Sequence, residues 1–266
     1  MLRIGVGTEI KVAIVTIDEP FYIPRMIKSL IFSSPPNLNY VAIIVLPTRP
    51  KNMSSYEFIS NQLQVFGLVQ FLKIGSMYTY RKFIAARFSD AYSLTRVAKK
   101  SKTFLLRASS LKDDNVKKVL RSFSADVIVS VASTRIFDRE ILSIPRLACI
   151  NVHAGKLPKY RGVNPSFWAL LNGEKESAVT VHYMNESIDD GEIIQQDIFN
   201  INGTTSLHEV YMKLLEIAPR TLVTSLIAMD KGIVKTKKNP SSSSSYFSYP
   251  KKDDGRRFRS LGLRFI

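Results

Sequence analysis

Cysteine is almost missing from this chain: Cys149 is the one such residue in 266. That excludes an internal disulfide framework and the cysteine clusters of a zinc site, and no metal is expected. Long apolar runs are missing too. No window reaches the roughly 18 uncharged apolar residues that cross a bilayer, and Glu9 and Lys11 interrupt the apolar start that a signal peptide would need. The expectation is a cytoplasmic protein without integral membrane association. Acidic residues are in short supply, 22 against 38 Lys and Arg, for a net charge of +16. Such a balance implies an anionic partner, either a phosphorylated small molecule or nucleic acid. Nine of the cations lie in residues 235–266, against Asp253 and Asp254. No internal repeat is present.

What is there is ordinary for a globular chain: 45% hydrophobic and 23% charged residues, enough for one large domain or a domain with an appendage. Residues 11–17 form a continuous apolar run and read as a buried parallel strand, followed by a helix over 24–32 and a second strand over 39–46. Residues 51–101 show helical periodicity in Tyr56, Ile59, Leu63 and Phe66, then a second helical run from about Tyr80 to Lys99. In this stretch Tyr78, Tyr80, Arg81, Lys82, Arg87 and Tyr92 interleave aromatic and basic groups. That pattern suits a flap over an acceptor, a membrane surface, or simply a helix with a solvated face. Strands follow at 103–106 and 126–131, around a helix over 113–123 started by Ser109 or Ser110. The alternation predicts an α/β fold with a doubly wound, mostly parallel sheet. Strands over 179–184 and 193–199 and a helix from Ser206 to about Lys231, ended by Gly232, complete a domain over 1–232. Residues 233–266 read as a Ser-rich linker and a short basic C-terminal extension.

The least ordinary stretch is Cys149-Ile-Asn-Val-His-Ala-Gly-Lys-Leu-Pro-Lys-Tyr-Arg-Gly162. Its first part is a short buried strand carrying Asn151 and His153 two residues apart, hence on one face. The chain then leaves through Gly155, Pro158 and Gly162, so both polar groups sit where a strand opens into a loop. In parallel sheets ligands bind at that edge. Taken alone, Asn-x-His at a strand end also fits a hydrogen-bonded structural pair, and Asp189-Asp190-Gly191 also fits a turn. His182 alternates with Thr180 and Met184, as a site residue or a satisfied core histidine. Cys149 and Trp168 read as packing.

Taken together, Asn151-Val-His153, Leu157-Pro158-x-Tyr-Arg161-Gly162, Pro165, Trp168, Gly173, Val179-Thr-x-His182 and Ile188-Asp189-x-Gly191 resemble the 10-formyltetrahydrofolate-dependent formyltransferases. That family includes the glycinamide ribonucleotide, methionyl-tRNA and sugar-nucleotide enzymes. The resemblance implies catalytic roles for Asn151, His153 and Asp189, with His182 as an accessory. Formyl transfer to an amine develops an oxyanion that needs a fixed donor, here Asn151. It also releases an amine proton that an imidazole near its titration range can take, here His153 with Asp189 to orient it. The resemblance places the folate between Arg135-Ile136-Phe137 and the loop Asn185-Glu186-Ser187-Ile188. It assigns Lys156, Leu157, Pro158, Arg161 and Gly162 to the acceptor side. The implied donor is 10-formyltetrahydrofolate, whose polyglutamate would be one more anionic partner.

The loop after the first strand departs from the glycinamide ribonucleotide enzyme. A Gly- and Ser-rich phosphate loop stands there in that enzyme, whereas this chain has Asp18-Glu-Pro-Phe-Tyr22, and two carboxylates and a proline cannot cradle phosphate. The expected acceptor is therefore the primary amine of an amino-sugar nucleotide or a similar small phosphorylated molecule. Methionyl-tRNA is the alternative, favoured by the charge and opposed by the lack of the oligonucleotide-fold domain that bacterial enzymes carry. A non-catalytic nucleic-acid or membrane-surface binding protein on the same fold is the alternative of another class. A homodimer is compatible with either.

Overall fold

The computed structural model of the chain describes residues 9–50, 53–133 and 135–266. Strands β1 (Ile10–Ile17), β2 (Leu38–Leu46), β3 (Phe104–Arg107), β4 (Val127–Val131) and β5 (Ala148–His153) pair in parallel. β7 (Glu176–Tyr183) and β8 (Ile193–Asn200) then add antiparallel, giving a seven-stranded sheet ordered β3-β2-β1-β4-β5-β7-β8. The order runs outward in both directions from β1 and β4, which is the doubly wound arrangement expected. Apolar runs are needed because both faces are covered. Along β1, Val12 and Ile14 enter one core with Ile27, Leu30 and Leu222, while Ala13 and Val15 enter the other with Val116, Leu120 and Ile141. The first core is closed by α1 (Ile23–Ser33), α8 (Pro165–Leu171) and α9 (Leu207–Asp230), the second by α6 (Asp114–Ser122) and α7 (Arg139–Leu142).

Local chemistry moves several boundaries. Asp113 rather than Ser109 or Ser110 caps α6, its carboxylate accepting the Asn115 N–H at 2.9 Å, because a short side chain in extended backbone reaches the free amides of the first turn. Ser206 caps α9 as expected, accepting from Glu209 at 3.2 Å. Residues 55–101 are several pieces instead of two runs: α2 (Ser55–Phe66), α3 (Leu68–Thr79), a π-helical turn (Tyr80–Ala85), α4 (Ala86–Phe88), a 3-10 turn (Asp90–Tyr92) and α5 (Leu94–Ser101). Gly67, at φ 74°, separates α2 from α3, and Ser89 and Ser93 set off the last two pieces, since each takes extended backbone and caps the piece that follows. The basic groups here are partly engaged inward. Lys82 and Arg107 both pair with Asp18, and the Arg81 guanidinium lies 4.6 Å from the Phe21 ring centroid.

Residues 233–266, read from the sequence as linker and extension, are packed into the domain. β9 (Tyr246–Phe247) pairs in parallel with β6 (Arg161–Gly162), and the Trp168 indole N–H donates to the Ser248 carbonyl at 3.1 Å. α10 (Lys252–Ser260) drives Phe258 into the core, where its ring stacks 4.7 Å from that of Phe167, and Phe265 follows it. Gly255 lets α10 cross α2, since a Cβ there would meet the Val65 carbonyl at 2.2 Å. Two aromatic anchors spaced seven residues apart dock this basic extension on the domain, while Lys251, Lys252, Arg256, Arg257 and Arg264 stay exposed.

Candidate functional site

β5 delivers Asn151 and His153 to its carboxyl end. The antiparallel register of β7 sets His182 opposite Asn151 and Thr180 opposite His153. Asp189 arrives from the loop between β7 and β8, in left-handed backbone at φ 48°. Two contacts hold that loop. Gly191 lies against the Tyr183 carbonyl, where a Cβ would sit at 1.9 Å. Asn239, from the segment after α9, donates its amide to the carbonyls of Asp189 (2.8 Å) and Gly191 (3.0 Å). Arg161, the buried first residue of β6, donates to the Asn239 carbonyl at 2.8 Å and pairs with Asp190 at 2.5 Å.

The four polar side chains form one network. The Asn151 amide nitrogen is 3.2 Å from His182 Nε2 and donates to Asp189 Oδ1 at 3.3 Å. The Gly162 N–H donates to Asp189 Oδ2 at 2.8 Å, and His153 Nδ1 lies 3.5 Å from the same oxygen. Backbone carbonyls assign the tautomers, because a carbonyl can only accept. His153 Nε2 faces the Tyr160 carbonyl at 2.8 Å, so in the neutral ring Nε2 carries the proton and Nδ1 is the basic nitrogen. His182 Nδ1 faces the Tyr183 carbonyl at 2.8 Å, so its Nε2 accepts from Asn151. Burial pushes the His153 pKa below its ordinary 6.5, with the Asp189 charge opposing. Burial also raises Asp189, but the charge of His153, the His182 ring and the Gly162 N–H outweigh it and hold the carboxyl below its usual range. At neutral pH the set offers an amide donor, a neutral imidazole base and an ionised carboxylate.

These groups open onto one cavity of about 1050 Å³. Six of the seven residues expected around a folate line it: Arg135, Ile136, Phe137, Asn185, Ser187 and Ile188. Phe137 is a fully buried wall and belongs to the core, whereas Ile136 is 64% exposed. Glu186 is turned outward and pairs with Arg139 at 3.0 Å. Among the five residues expected on the acceptor side, Gly162 lines the cavity and the others do not. Lys156 pairs with Glu176 on the surface at 2.8 Å, Leu157 is buried, and Arg161 is spent on Asn239 and Asp190. Sequence reasoning missed Asn239, Tyr160 and Glu19. Asn239 and the Tyr160 carbonyl have no local signal, since each acts through a contact made in three dimensions. Glu19 had one: an acid beside a strand end at the sheet's carboxyl edge. Its oxygens accept the N–H groups of Phe21 and Tyr22 at 2.7 and 3.0 Å, and burial raises its pKa to about 7 against those bonds. Among the described residues, no group of three or more His, Cys, Asp or Glu side chains is placed to hold a metal ion. No helix there is long and apolar enough to cross a membrane.

A doubly wound sheet thus carries an Asn/His/Asp cluster at its carboxyl edge, opening onto a cavity of about 1050 Å³. The formyl transferase family matches residues 78–226, more than half of the chain, and the chain belongs to that family. A methionyl-tRNA formyltransferase of Thermodesulfovibrio yellowstonii is 37% identical over 167 residues, covering 63% of this chain and 54% of that protein. The chain thus spans about half the length of that curated relative. The glycinamide ribonucleotide transformylase 1 structure from Symbiobacterium toebii shares the fold at TM-score 0.62 and 14% identity, over 90% of this chain and 95% of that one. The N-formyltransferase from Helicobacter canadensis, in complex with folinic acid and dTDP-3-aminofucose, does so at TM-score 0.55 and 20% identity, over 97% and 84%.

Proposed function

We propose that the chain transfers the formyl group of 10-formyltetrahydrofolate to a primary amine, using Asn151, His153 and Asp189. The observation that carries this reading is the single network in which those three side chains meet at the cavity. The pterin end of the donor would lie against Ile136 and Ile188, with Arg135 and Lys112 nearby for its carboxylates. As the amine nitrogen attacks the formyl carbon, the formyl oxygen gains negative charge. Asn151 reaches it by redirecting the longer of its two hydrogen bonds, the one to Asp189. His153 Nδ1 takes the amine proton, and the imidazolium so formed faces the Asp189 carboxylate. The new C–N bond forms, the bond to N10 breaks, and the proton passes to N10, leaving tetrahydrofolate and a formamide.

Mixing the protein with 10-formyltetrahydrofolate and candidate amines, and following tetrahydrofolate release by absorbance, tests this directly. The amines include an amino-sugar nucleotide, the acceptor class expected from the sequence, and methionyl-tRNA, named for the curated relatives. The net charge of +16 favours the second, and its binding would weaken by about 0.7 to 0.9 log units per phosphate contacted for each log unit of salt. Failure to bind any tetrahydrofolate derivative sinks the reading.

A further inference from the structure

Four asparagines line the cavity: Asn61, Asn151, Asn164 and Asn185. Three of them are held by the protein. Asn151 donates to Asp189, Asn61 donates to the Pro250 carbonyl at 3.4 Å, and the Asn185 side-chain oxygen accepts the Ser187 N–H at 2.9 Å. Asn164 makes no side-chain hydrogen bond among the described residues, although it stands at the start of α8, where an Asn commonly caps. A carboxamide carries two donors and an acceptor, and in a cavity wall those are left for water or a ligand.

The backbone puts that amide next to the reacting corner. Tyr160 (φ 59°), Gly162 (φ 96°) and Asn164 (φ 53°) all lie in the left-handed region. The first two each give a backbone group to the corner: the Tyr160 carbonyl meets His153 Nε2, and the Gly162 N–H donates to Asp189 Oδ2. Asn164 follows Gly162 by two residues, a span of at most about 7 Å, so its side chain is within a few bonds of the place where an amine would meet His153. Left-handed backbone favours Asn or Gly, and residues held there concentrate where proteins bind or react. Asn164 also approaches from its own side. It opens α8, whose Phe167 packs in the first core, whereas Phe137, next to Ile136 of the proposed folate wall, packs in the second.

We infer that Asn164 positions the acceptor: its amide binds an oxygen on the carbon next to the reacting amine, so the substrate class is a primary amine with a neighbouring hydroxyl or carbonyl rather than a plain alkylamine. Fixing that oxygen holds the amine lone pair toward the formyl carbon while His153 takes the proton, a gain in orientation rather than a new chemical step. This rests on the formyl-transfer reading. The shared chemistry has two sources, the hydroxyl of an amino sugar and the carbonyl of an aminoacyl ester.

Tetrahydrofolate binding is measured first, and formyl transfer is then followed with three small amines: glycine methyl ester, ethanolamine and n-propylamine. Comparing variant with wild type for each amine separately cancels the differences in basicity. Asn164→Gly removes the amide and leaves a residue at ease in left-handed backbone. Its loss of kcat/KM for the ester or for ethanolamine should exceed its loss for propylamine about fivefold, the size of one neutral hydrogen bond, with tetrahydrofolate affinity retained. Asn164→Asp keeps the shape of the side chain but can only accept. It should keep ethanolamine, whose hydroxyl can donate, and lose the ester, and it carries the same comparison if the Gly variant does not fold. An excess loss confined to the ester assigns an aminoacyl acceptor, and one confined to ethanolamine assigns an amino sugar; either supports the inference. Equal loss for all three amines, or none for any, with tetrahydrofolate still bound, overturns it and leaves the formyl-transfer reading standing. If the wild-type chain binds no tetrahydrofolate, that reading fails and this inference falls with it.

Discussion

The corner around Asp189 and the helices from α2 to α4 are built on opposite terms. In the corner, Asn151, His153, His182 and Asp189 are nearly buried and bonded to one another or to backbone, with Asn239 and Gly162 fixing the loop from behind. In the helices, α3 buries nothing and α2 buries only Val65. A satisfied polar network admits one geometry, because each lost partner leaves an uncompensated buried group. An apolar wall held by few contacts tolerates rearrangement and different occupants. The first region therefore suits the chemistry proposed above, and the second is free to vary.

That contrast can be broken at several points. The largest effect should come from Asn151→Ala, which on the proposed mechanism removes the oxyanion donor: turnover should fall about 100-fold or more, with tetrahydrofolate affinity retained in a binding titration. Asp189→Asn should match it. Near-normal turnover in both would remove the corner from the chemistry.

The pH profile should show the next effect. His153 must be neutral to act, so kcat/KM should fall about tenfold per unit as pH drops below its pKa, which burial holds below 6.5. Stability should move the same way. The unfolded chain binds protons at His153 and Asp189 that the folded chain refuses, so both contributions are present at neutral pH. The first is lost as pH falls through about 6.5 and the second only below about 3.9. Denaturant midpoints that stay flat from pH 7 to 4 would contradict this.

Ile136→Asp places a carboxylate on an exposed wall of the cavity, where the proposed function puts the folate, and should weaken tetrahydrofolate about tenfold or more, read by titration with circular dichroism unchanged. Phe137 would be a poor choice for this test, because it is fully buried in the core. Asn239→Ala removes three side-chain hydrogen bonds, two donated to the Asp189 and Gly191 carbonyls and one accepted from Arg161, and should cost about 1 to 3 kcal/mol of stability. It should also lower turnover several-fold while leaving folate affinity alone, since its effect passes through the position of Asp189. The smallest change belongs to the helices: Val69→Ser, at 79% exposure, should shift stability by no more than about 0.5 kcal/mol. A larger loss there would mean that the wall is as tightly specified as the corner.

Much of this was readable in one dimension. β1, β2, β4 and β5 announce themselves as apolar runs because a strand covered on both faces has no polar side to show. Asn151 and His153 are two apart on one strand, so their shared face follows from the period of the backbone. The Ser206 cap and the end of α9 near Gly232 follow from local hydrogen bonding and chirality. The pieces of residues 80–101 were not readable, because Ser89 and Ser93 reset the chain without altering its helical composition.

The sequence by itself determined the alternation of strand and helix, the strand that carries the site, and the residue types available for the chemistry, since all of these depend on neighbours within a few residues. Only the tertiary structure decided the rest. It set His182 against Asn151 through the register of β7, and it brought Asn239 across 50 residues to the Asp189 carbonyl. It turned Arg161 and Lys156 away from the cavity and packed Phe258 and Phe265 of the C-terminal segment into the core. Contacts between distant segments are selected by the burial and hydrogen-bond satisfaction of the whole domain, and no short window of sequence contains that sum.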